Sequence, residues 1–96
     1  VSLLEIRIKR TFAKIIPDLE KHGLKVTHSD ETIIRDTHSM NILVTRNVME
    51  RATIRITIDA KSFSFVVEGF NNTKLENEIR DIIDDTLTRG KLFERK

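Results

Sequence analysis

The 96-residue chain contains no cysteine, tryptophan, tyrosine or glutamine, a single proline and three glycines. Without cysteine there is no disulfide framework, thiolate zinc site, iron–sulfur cluster or thiol nucleophile, and nothing argues for secretion. No apolar run approaches the roughly 18 residues of a membrane span, and no signal-like segment opens the chain. A soluble, cytoplasmic protein is therefore expected. The glycines (Gly23, Gly69, Gly90) are isolated, so no glycine-rich phosphate loop supports a nucleotide site. The missing thermolabile side chains, set beside abundant isoleucine, fit a chain from a hot environment. The chain opens on Val1 rather than an initiator, as a processed product or a piece of a longer protein would.

What is present is the balance of an ordinary globular domain: 39% hydrophobic and 33% charged residues in 11.2 kDa. A chain of this size buries about two thirds of its unfolded surface and needs no covalent staple. One domain over residues 1–96 is expected, with 91–96 a charged tail anchored by Leu92 or Phe93. Seventeen basic residues against 15 acidic leave a net charge of +2, too little by itself to demand a polyanionic partner.

The opening segment carries two signals. Leu4, Ile6 and Ile8 alternate with charges as a strand would, whereas Ser2 to Glu5 forms a capping box and Leu4, Ile8, Phe12, Ile15 and Leu19 make a helical stripe. The stripe is the longer pattern, so a helix over about 3 to 22 is expected, ending at Gly23. A strand over 3–9 followed by a short helix from Thr11 is the alternative. Pro17 interrupts the backbone ladder but falls opposite the stripe, where a curved helix tolerates it best. From Leu24 the period changes to two, and residues 24–28, 32–37, 41–46, 52–58 and 62–68 read as strands. Their short connections, Ser29-Asp30-Glu31 and Asp59-Ala60-Lys61 among them, require antiparallel neighbours. Phe63, Phe65 and Val67 share a face with the isoleucines of the preceding strand. A second capping box, Thr73 to Glu76, opens a helix over about 74 to 89 with the stripe Leu75, Ile79, Ile82, Ile83 and Leu87. The expected fold is thus α+β: a four- or five-stranded antiparallel meander with an N-terminal and a C-terminal helix packed on one face.

Candidate chemistry is sparse. His22, His28 and His38 have no compact metal-ligand spacing, and no metal or other cofactor is expected. Acid, imidazole and hydroxyl lie close in His28-Ser29-Asp30 and in Asp36-Thr37-His38-Ser39, but adjacent strand residues point to opposite faces, which is not triad geometry. Pro17-Asp18 with Asp59-Ala60-Lys61 spells a metal-dependent nuclease signature. Such a site needs both carboxylates at adjoining strand ends around Mg²⁺, whereas Asp18 reads as helical. Arg35, Arg46, Arg51, Arg55 and Lys61 dot the sheet without the aromatic rings that stack single-stranded bases, and fit cross-strand pairing with Asp36, Glu50 and Asp59 better.

Two functional expectations result. The leading one is a non-enzymatic protein-interaction module, self-associating or seated in a larger assembly, because the fold leaves a sheet face and two strand edges free. The other is sequence-independent nucleic-acid binding. Arg7, Arg10, Lys14 and Lys21 lie three, four and seven residues apart along one flank of the first helix, a row about 20 Å long, with Lys25 and the basic tail adding contacts. The acidic row Glu78, Asp81 and Asp85 on the last helix supplies a competing explanation, in which the two rows neutralise each other within the chain or across a dimer.

Overall fold

A computed structural model describes residues 2–93. The chain runs α1 (Leu3–Lys21), β1 (Lys25–Ile34), β2 (Thr37–Asn47), β3 (Glu50–Ile58), β4 (Phe63–Glu68) and α2 (Thr73–Arg89). The strands form one open antiparallel sheet in the order β1-β2-β3-β4, the expected meander with four members. The N-terminal segment is helical rather than extended. Ser2 caps it by accepting the Glu5 N–H at 3.1 Å, and it presents Ile8, Phe12, Ile15 and Leu19 to the core. Pro17 lies within this helix on its exposed side, so the carbonyl freed four residues back faces water. Gly23, at φ +84°, turns the chain out of α1.

The sheet departs from expectation at one place. Ser29-Asp30-Glu31 is not a turn: β1 passes straight through it, and the hairpin instead turns at Arg35 and Asp36, with Arg35 at φ +55°. β2 accordingly starts at Thr37, and the first two expected strands are one. The reason lies in exposure. Ser29, Glu31 and Ile33 pair with the buried Ile42, Met40 and His38, and so point to the helix side, yet all three are exposed; of this strand only Val26 packs against the core. A strand with water on both faces accommodates polar residues that a buried strand would reject. Asp30 also gains a cross-strand partner, accepting from Asn41 Nδ2 at 3.3 Å. A bulge between Val26 and His28 bends the start of this strand.

The core lies between β2–β4 and the two helices. Met40, Ile42 and Val44 of β2, Ile54, Ile56 and Ile58 of β3, and Val67 of β4 meet the α1 stripe and Leu75, Ile79, Ile83 and Leu87 of α2. Phe63 and Phe65 pair with Ile58 and Ile56 and pack against this cluster, as their phase along the strand requires. The N-cap of α2 is Asn72, one residue earlier than the capping box places it. Its Oδ1 accepts the Leu75 N–H at 3.0 Å, while Glu76 accepts the Gly69 N–H at 2.9 Å and so latches the preceding loop. At the far end, Gly90 sits against the Thr11 side chain of α1, where a Cβ would collide with Thr11 Oγ1. Leu92 is buried, anchoring the segment after α2; the rest of the expected charged tail, 94–96, lies outside the described residues.

Candidate functional site

The anticipated cation row is divided by the fold. Arg7, Arg10 and Lys14 line a 290 Å³ concavity together with Thr11, Arg89, Gly90 and Lys91, so the C-terminal end of α2 brings two further cations to the α1 flank. Lys21 lines a different concavity, of 700 Å³, with Asp18, Arg46, Glu78, Asp81 and Asp85. Lys25 begins β1 and is exposed. Two of the three residues of the acidic row take other partners, Glu78 meeting Arg46 of β2 at 2.7 Å and Asp85 meeting Arg89 at 2.9 Å, while Asp81 lines the concavity that holds Lys21. Within the chain, Arg10 and Lys14 therefore do not face α2 carboxylates, and neither forms an ion pair or side-chain hydrogen bond among the described residues. Arg7 donates to the carbonyls of Lys91 and Leu92 at 3.3 and 3.5 Å, in the segment that follows α2. Arg89 escapes a sequence reading because it belongs to the last helical turn, and only the packing of α2 against Thr11 places it beside α1; Lys91 is the first residue of the basic tail expected to add contacts there.

The helix contact itself is held by a polar clasp. Asp18 Oδ2 accepts from Thr86 Oγ1 at 2.7 Å and from Arg89 Nη2 at 2.8 Å, with Thr86 buried. The Thr86 hydroxyl and then the Arg89 guanidinium hold the Asp18 carboxyl below its ordinary 3.8, against the opposing effect of burial. Asp59 is also lowered, by the Lys61 and Ser62 amides whose N–H groups it accepts at 2.7 and 2.8 Å. The two carboxylates of the nuclease-like spelling thus have separate structural duties. Asp18 shares its concavity with Arg46, near the start of β3, and Asp59 follows the last residue of β3, so the length of that strand separates them. The histidines diverge as well: His22 contacts the Asp18 carbonyl, His28 lies 3.6 Å from Asp30, and His38 is buried under the helices.

On the sheet, one of the expected arginine pairings forms, Arg46 with Glu50 at 3.9 Å. Arg51 instead bonds the Val48 carbonyl and Arg55 bonds Asn41 Oδ1 at 3.1 Å. Asp30, Asn41 and Arg55 thereby form a hydrogen-bonded row across β1, β2 and β3 on the face without helices. That face holds a 530 Å³ concavity floored by Leu43, Thr53, Arg55 and Val66 and flanked by His28 and Glu68. Apolar side chains are also exposed along the sheet's margins: Ile33 and Ile34 at 60% and 67% in β1, and Val48, Met49 and Phe70 around a second, 350 Å³ hollow. The outward edge of β1, ten residues long, pairs with no strand among the described residues. Compared with known protein families, with curated proteins and with solved structures, the chain matches none.

Proposed function

We propose that this chain is a non-enzymatic interaction module that associates with a second copy of itself through the free edge of β1. The observation that carries this reading is a ten-residue edge strand in which every residue but Val26 is exposed. Such an edge presents a row of backbone donors and acceptors ready for another strand. Two copies joined antiparallel about a two-fold axis give a continuous eight-stranded sheet with all four helices on one side. Charge selects the register. With Ser29 on the axis, His28 of each copy stands opposite Asp30 of the other on the helix-free face, the same two residues that already lie 3.6 Å apart within one chain. Moving the axis to Asp30 or Glu31 sets like carboxylates against each other.

Sedimentation equilibrium over a wide concentration range tests this. Adjacent strand residues send their N–H groups to opposite edges, so one of Ser29→Pro and Asp30→Pro removes an outward donor while sparing the bonds to β2. That variant should keep the wild-type melting temperature and weaken dimerisation at least tenfold. A strict monomer at millimolar concentration, or full dimerisation by both variants, overturns the reading.

A further inference from the structure

We infer that His28 and Asp30 are half of a zinc site, completed on the two-fold axis by the same two residues of a second copy. The inference rests on the pairing of β1 edges proposed above. Both residues lie on the helix-free face, where they pair with Leu43 and Asn41 of β2, and both side chains are more than half exposed. His28 Nε2 stands 3.6 Å from Asp30 Oδ2. That separation is too long for a hydrogen bond. It is close to the edge of a coordination tetrahedron, because a nitrogen and an oxygen each about 2.0–2.2 Å from a zinc ion stand roughly 3.3–3.5 Å apart.

The carboxylate is positioned from behind. Arg55 Nε donates to Asn41 Oδ1 at 3.1 Å, which turns the Asn41 amide nitrogen towards Asp30, and that nitrogen donates to Asp30 Oδ1 at 3.3 Å. Oδ2 is left for a ligand. Hydrogen bonds of this kind orient a ligating carboxylate, whereas an exposed ion pair is worth little and needs no such relay.

One chain supplies two donors, short of the three or four protein ligands of a zinc site. With Ser29 on the axis, the second copy brings its His28 and Asp30 to the same face, and the four Cα atoms mark a rectangle of about 5 by 7 Å centred on the axis. An ion above that centre is met from below by the short carboxylates and from the sides by the longer imidazoles. The result is a tetrahedral set of two nitrogens and two oxygens. Ligating imidazoles are neutral, so the two carboxylates bring two negative charges to the axis, which one dication cancels. Mixed nitrogen and oxygen donors suit zinc, whereas calcium and magnesium take oxygen alone. The histidine spacing within one chain gives no sign of the site, because it is complete only across two.

The test is a calorimetric titration of the full chain with zinc chloride, beside sedimentation equilibrium in excess zinc and in EDTA. One zinc per two chains is expected, with dimerisation at least tenfold tighter than in EDTA, and cobalt(II) should give the intense visible absorption of a tetrahedral site. His28→Gln and Asp30→Asn should each abolish the zinc response and keep the wild-type circular dichroism; His22→Gln should leave the response intact. Asn41→Leu, which removes the orienting amide, should weaken zinc binding about ten- to a hundredfold. A chain that dimerises in EDTA yet neither binds zinc nor tightens with it overturns the inference and leaves the β1 pairing standing. One zinc per chain without a change in mass also overturns it, as does a zinc response that survives Asp30→Asn. A monomer at millimolar concentration in both zinc and EDTA removes the β1 pairing itself, and the shared site with it.

Discussion

Asp18 shows how much one side chain can be asked to do. It lies on α1, and its carboxylate collects a buried hydroxyl and a guanidinium from α2. Because its folded pKa lies below the unfolded one, the stabilisation it supplies is fully present above the ordinary carboxylate range and is lost as pH falls through the lowered folded value. Thr86→Val keeps the volume and removes the donor. The expected cost is about 1–2 kcal/mol at pH 7, read from urea unfolding, with wild type and variant converging once the medium is acidic enough to protonate Asp18. A constant difference down to pH 2 would mean that Thr86 acts through packing alone. Nothing in the sequence marks this pair, since 68 residues separate them and the helical phases of Asp18 and Thr86 do not indicate which flanks meet.

Among the elements, α2 gives the sharpest test of local chemistry. Asn72→Ala removes the group that accepts the Leu75 N–H and should cost about 1 kcal/mol in chemical unfolding, whereas Thr73→Ala should stay within about 0.5 kcal/mol. The reverse ranking would restore Thr73 as the cap. Helix existence was legible because a 3.6-residue stripe and a cap signal agreed in both α1 and α2, and the phase of Phe63 and Phe65 followed from strand alternation. The continuous β1 was not legible, because Ser29-Asp30-Glu31 has turn composition and only its exposure lets it remain extended. Of the basic site, Arg7, Arg10 and Lys14 were legible from spacing within one helix. Lys21 and Lys25 fell elsewhere, Lys91 came with the basic tail already expected there, and Arg89 joined through tertiary packing, which periodicity does not encode.

At the scale of the molecule, the described chain is a slab of 42 × 25 × 19 Å in which a sheet of sequential neighbours is roofed by the first and last elements. Every strand pairing joins neighbours across a turn of a few residues, so each loop closure is cheap. The roof is different: Thr86 reaches Asp18 across 68 positions and Arg7 reaches the Lys91 carbonyl across 84. The consequence is an order of assembly. The β2–β3 hairpin can form its Ile42–Ile54 pairing early, while the two helices meet only after nearly the whole chain has collapsed. In stopped-flow experiments, Ile54→Val should therefore slow refolding with little effect on unfolding, and Thr86→Val should accelerate unfolding while refolding keeps its wild-type rate. If the two substitutions exchanged those signatures, the helix pair would be the nucleus and the meander its late product.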